Sequence, residues 1–160
     1  MVRVIPLFVH SMLREEPITI YGGRDKTLDF TYIDDCVEGI TQGILALAEG
    51  RVSNETINLA YGQGNTLVRC AELIAAELDV DPQMTLAPSL LGEVTHYVAD
   101  VSKARSLLGY DPQISLDVGI SRAVEWFREH RAAHPEDDLP VTADHEGALG
   151  SRSAWKTAPA

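Results

Sequence analysis

The sequence predicts an α/β body over residues 1–130 and an unstructured tail over residues 131–160. Three observations carry this. Apolar residues at helical spacing alternate with short β-branched runs. Glycine, proline and polar clusters separate these segments. Beyond His130 the periodicity stops and Ala, Pro, Asp and Ser dominate. Alternating elements allow a parallel or mixed sheet. However, the strands are few and short, and no opening β-turn-α unit is present.

Each element has a local reason. Ile5, Phe8, Val9 and Met12 recur at helical spacing, with Pro6 tolerable only in the first turn. Pro17 ends that pattern, and residues 18–21 form a strand closed by Gly22-Gly23. A polar loop over residues 24–27 leads to a second extended run, Phe30 to Ile33. Asp34 and Asp35 are N-cap candidates for a helix with Val37, Ile40, Ile44 and Ala48 on one buried face, ending near Gly50. Residues 56–60 read as a strand and Gly62-Gln63-Gly64 as a turn. Thr66 caps a helix through Leu67, Ala71, Ile74 and Leu78. Residues 84–87 form a short strand. Asp100 caps a helix closed by Gly109, and Ser115 caps the last one, striped by Leu116, Ile120, Ala123, Val124 and Phe127.

Composition narrows the function classes. Thirteen Lys and Arg face 24 Asp and Glu, for a formal net charge of −11. Such a surface argues against a nucleic-acid partner, since phosphate neutralisation needs basic residues. No apolar run reaches the ~18 residues that span a bilayer, and no signal-peptide cleavage pattern follows the first apolar stretch. Cys36 and Cys70 make no disulfide framework and read as reduced core thiols, which points to the cytoplasm. His130 and His134 stand four apart, but His134 precedes Pro135 at a helix end, where fraying is expected rather than ligation, so no metal is expected. Gly62-x-Gly64 lacks a third glycine where a dinucleotide loop has one, because Leu67 stands there. A plain strand-to-helix turn accounts for it better. Asp34-Asp35 at a helix start reads as capping rather than as paired acid-base groups.

Seven stretches, in order, carry a resemblance. They are Val4-Ile5-Pro6-Leu7-Phe8, Ile20-Tyr21-Gly22-Gly23, Leu28 through Asp35, Asn58-Leu59-Ala60, Gly92-Glu93-Val94, Ala99 through Ala104 and Leu108 through Pro112. Over residues 2–128 the chain resembles the C-terminal, substrate-binding half of the NAD-dependent sugar-nucleotide epimerases and dehydratases. These are extended short-chain dehydrogenases, and the likeness is to the UDP-glucose 4-epimerase type. The implied fold is the C-terminal part of that Rossmann-type fold, without the half that binds NAD. The family's catalytic Tyr-x-x-x-Lys is not found: four residues after Tyr21, Tyr32, Tyr61, Tyr97 and Tyr110 stand Asp25, Cys36, Asn65, Val101 and Ile114. No catalytic residue is therefore assigned, NAD is expected only with the family's other half, and the chain alone is expected to be inactive.

The resemblance implies a UDP- or dTDP-sugar as ligand. The strand with Thr19 and Tyr21 matches the one whose main chain meets the base, since a strand edge offers both N–H and C=O groups. Glu93 matches the acid that accepts ribose hydroxyls, or else is an ordinary loop acid. Asp29, Asp35 and Asp100 match family positions and serve equally well as framework. Two phosphate-associated arginines of the family are replaced by Leu28 and Leu90, neither of which can bond an anion. Arg24 and Lys26 are the available substitutes, unless they form only a solvated loop. The resemblance also implies that the helix over residues 37–48 and the strand around Ile57 pack on the missing half. The expected partners are thus a catalytic Rossmann half or a second copy. The remaining readings are a non-catalytic binding module and a truncated relic.

Overall fold

The computed structural model describes residues 4–89 and 94–133. The chain runs α1 (Val4–Leu13), β1 (Ile18–Tyr21), β2 (Thr27–Asp29), α2 (Ile33–Ala48), β3 (Gly64–Thr66), α3 (Leu67–Leu78), β4 (Met84–Ala87), β5 (His96–Tyr97), α4 (Ser102–Leu108) and α5 (Leu116–Ala133). β1 pairs in parallel with β4, Ile18 opposite Met84 and Tyr21 opposite Ala87. β2 lies between β3, antiparallel, and β5, parallel. The expected tail lies outside the described residues, apart from residues 131–133, which continue α5.

The main core forms where the helical stripes of α1, α3 and α5 meet β1. Phe8, Val9, Met12, Ile18, Ile20, Cys70, Ile74, Ile120 and Val124 are all buried there. The stripes on α1, α3 and α5 are those that the spacing predicts. A smaller cluster joins α2 to α4 through Ala46, Ala104, Leu108 and Tyr110. Thr66 caps α3 by accepting the Arg69 N–H at 3.1 Å. Gly109 closes α4 at φ +72°, a left-handed position that glycine occupies at little cost.

Five expectations need correction. The second strand is Thr27–Asp29, not Phe30–Ile33, and it ends where the Asp29 carboxylate turns to accept the N–H groups of Gly62 and Ala99. Residues 56–60 pair with no strand; Asn58 instead donates its side-chain N–H to the Asp100 carbonyl at 3.2 Å. Neither Asp34 nor Asp35 is the cap of α2, because Tyr32 occupies that position and both acids lie in the first turn. Val101 likewise precedes α4, with the Asp100 carboxylate accepting the Ser102 N–H at 2.9 Å. Finally, the predicted buried stripe of α2 faces outward. Val37, Ile40 and Ile44 are 52%, 50% and 63% exposed, while Asp35, Gly39 and Ala46 face the protein. Small residues win the inner face because space is short: a Cβ on Gly39 would stand 2.7 Å from Leu59 and 2.9 Å from Tyr110.

Candidate functional site

β1 presents two different edges. The Ile18 N–H donates to Gln83 and the Gly22 N–H to Ala87, so even-numbered residues face β4. In a parallel ladder the alternate residues direct both main-chain groups to the opposite side. Thr19 and Tyr21 therefore present N–H and C=O on the outer edge of β1, with the Thr19 side chain exposed.

The turn after β1 is compact. Gly22 and Gly23 adopt φ +95° and +77°, and the stem of Lys26 folds back across Gly22. Lys26 is only 7% exposed, and its carbonyl accepts the Leu67 N–H at 3.1 Å, which ties the turn to the start of α3. Arg24 stands exposed at the tip.

The segment between β4 and β5 is anchored against this same turn. It leaves Ala87, which is paired with Tyr21, and it returns at Thr95, whose carbonyl accepts the Thr27 N–H at 2.9 Å. Glu93 and Leu90 belong to that segment and lie outside the described residues. Thr19, Tyr21, Arg24 and Lys26 thus share one end of β1, and both ends of the Glu93 segment are fixed beside them.

Three aspartates at positions that the resemblance matches bond the chain's own backbone. Asp29 accepts from Gly62 at 3.0 Å and Ala99 at 3.2 Å. Asp35, 7% exposed, accepts from Gln113 and Ile114, both at 2.9 Å. Hydrogen bonds from Ser102 hold the Asp100 carboxyl below the usual carboxylate range. Sequence reasoning did not find β5, a two-residue strand whose exposed pattern carries no apolar alternation. Leu28, where the resemblance implies an arginine, packs against the main core.

The comparisons with known proteins bear on the family and the fold. Residues 1–60 match the NAD dependent epimerase/dehydratase family. Over those residues the chain resembles that family. It is 32% identical over 119 residues to an uncharacterised UDP-glucose epimerase of Bacillus subtilis, covering 74% of this chain and 37% of the relative. The UDP-glucose 4-epimerase of Thermotoga maritima, solved with UDP-glucose, superposes with a TM-score of 0.70 at 30% identity, over 80% of this chain and 40% of that one. An epimerase of Methanothermobacter thermautotrophicus gives 0.77 at 26% identity, over 85% and 40%. The chain therefore spans about two fifths of the length of these epimerase/dehydratase relatives. Its fold is a partial Rossmann-type epimerase fold.

NAD is implied by the family, and the one glycine pair that could suggest a phosphate cradle does not fit it. A Cβ on Gly62 would stand 2.8 Å from Val101, and one on Gly64 would collide with Thr27. These glycines make room for protein side chains, and the Gly62 N–H is already taken by Asp29. The turn is a packing device. Among the described residues, no helix is long and apolar enough to cross a membrane.

Proposed function

We propose that this chain is the nucleotide-sugar-binding portion of an epimerase/dehydratase of the UDP-glucose 4-epimerase type, without a catalytic Tyr-x-x-x-Lys of its own. The observation that carries the reading is the convergence at the end of β1: an outward strand edge, an exposed arginine and both anchors of the Glu93 segment meet there. The main chain at Thr19 and Tyr21 pairs with the base, reading its donor and acceptor pattern. Glu93 accepts the ribose diol. Arg24 meets the diphosphate from the tip of the turn, in place of the arginines lost at Leu28 and Leu90. Lys26 sets the shape of the turn through its stem and adds positive charge beneath it.

The residues of this chain bind and orient; the proton and hydride transfers of the family need groups that the other half supplies. Pure chain with added NAD is therefore expected to convert no UDP-glucose. Titration calorimetry with UDP-glucose and with UDP tests the binding. The expected result is measurable binding of both, weakened about tenfold by Arg24→Ala, because a charge-assisted contact contributes about 1.5–3 kcal/mol. Absence of heat with either ligand overturns the reading, and equal affinity in parent and variant removes Arg24 from it.

A further inference from the structure

We propose that a groove between the end of α1 and the start of β4 receives residues 151–160 of this same chain. Trp155 fills the groove, and Arg152 and Lys156 meet its rim. The groove has a volume of about 270 Å3 and is lined by Met12, Glu15, Glu16, Val80, Asp81 and Gln83. A dry cavity of about 150 Å3 accepts a benzene ring, so this one has room for an indole. Met12 and Val80 supply the apolar wall, and the three acids stand exposed around it. Among the described residues, none of these three carboxylates takes part in an ion pair. The matching occupant is apolar at its centre and cationic at its edges.

The chain supplies that occupant. Residues 134–150 carry five Asp or Glu and no Lys or Arg, whereas residues 151–160 carry Arg152 and Lys156 and no acid. Trp155 is the one Phe, Tyr or Trp after Phe127. An acidic rim repels the first stretch and attracts the second. Placement agrees with charge. Arg128 donates to the Glu77 carbonyl at 2.6 Å, and the His10 ring meets Phe127 edge-on at 5.4 Å. The closing turns of α5 thus run beside the ends of α1 and α3, where the groove lies. Residues 134–154 link α5 to Trp155, and a flexible chain of that length spans about 25 Å. Such a tether gives an effective concentration in the millimolar range, so a weak contact suffices. The groove opens before Ile18 and Met84, where β1 and β4 begin, while the candidate site lies past Tyr21 and Ala87. Docking therefore leaves the nucleotide site uncovered, and the proposal stands apart from the reading of that site.

Fluorescence of the full chain in a Trp126→Phe background tests this, because Trp155 is then the only indole. Its emission is expected to be blue-shifted and shielded from acrylamide relative to a peptide of residues 151–160. Added salt should move it toward the peptide's. Glu16→Lys with Asp81→Lys should release the segment, the docking equilibrium falling about threefold for each ion pair lost. Adding Arg152→Glu and Lys156→Glu to that variant should restore the shielding. In a Cys36→Ser background, Gln83→Cys and Ala154→Cys together should close a disulfide within one chain under air oxidation. UDP-glucose should leave the emission unchanged, so a failure to bind nucleotide does not alter this readout. Peptide-like emission in the parent, shielding that survives the charge reversal, or swapped charges that fail to restore it overturns the proposal. A disulfide formed only between chains overturns docking within one chain and assigns the groove to a second copy.

Discussion

A Cβ placed on Gly22 would stand 2.7 Å from Cδ of Lys26, so the turn beside the candidate site closes only over a residue with no side chain. The φ of +95° adds a second reason, since L-residues rarely adopt it. Gly22→Ala is expected to cost about 1–3 kcal/mol and to weaken UDP-glucose binding along with it. Thermal unfolding and calorimetry check both effects; an unchanged melting temperature would show that the turn relaxes freely.

Asp35 joins α2 to the segment before α5 by accepting two N–H groups at 2.9 Å. Removing a buried, charged acceptor leaves both donors without it. Asp35→Ala is expected to destabilise the chain by about 2–4 kcal/mol, with Asp35→Asn recovering part of the loss. Denaturant unfolding measures this, and a cost under about 1 kcal/mol would contradict the bracing role.

Leu28, where the resemblance implies an arginine, packs on the main core. Leu28→Arg is expected to lose about 1–3 kcal/mol of stability, because a guanidinium replaces apolar packing. A melting temperature equal to the parent's would show that the side chain swings clear.

Tyr110 is 1% exposed, and its hydroxyl finds no hydrogen-bond partner among the described residues. Burial pushes its pKa up to about 12, assisted by the negative charge of Asp35. The folded state thus keeps the phenol proton where the unfolded chain, with a pKa near 10, releases it. Stability is full below about pH 10 and falls as pH rises toward 12. Tyr110→Phe should flatten part of that alkaline slope and leave neutral-pH stability nearly unchanged. An identical slope in the variant would refute this.

Cys70 is fully buried and its thiol is pushed up to about 12 by burial, whereas Cys36 is half-buried. An alkylating reagent at pH 8 should therefore modify Cys36 in the folded chain and reach Cys70 only on unfolding. Mass spectrometry after timed quenching reads the order, and equal rates would sink the assignment.

The helices of the main core are legible in the sequence because each has a single apolar stripe and one thing to pack on. α2 is not, because it is apolar outside and small inside: Gly39 and Ala46 carry no hydrophobic signal strong enough to outweigh Val37 and Ile44. The strand at Thr27–Asp29 is illegible for a similar reason. Phe30 and Ile33 have the stronger β preference, but the Asp29 carboxylate takes N–H groups from two distant segments and ends the ladder before them. At the candidate site, Thr19 and Tyr21 could be placed from the strand pattern and the resemblance. The burial of Lys26 depends on Gly22 across the turn and could not.

The anchoring of the segment after β4 separates two jobs that a binding site usually entangles. Ala87 is pinned to Tyr21 and Thr95 to Thr27 by main-chain geometry, which is indifferent to the side chains between them. Residues 88–94 can therefore change identity while their endpoints stay put beside the turn. Ligand preference can drift in that stretch without any renegotiation of the sheet, and a graft of the corresponding stretch from a relative needs to match only its span.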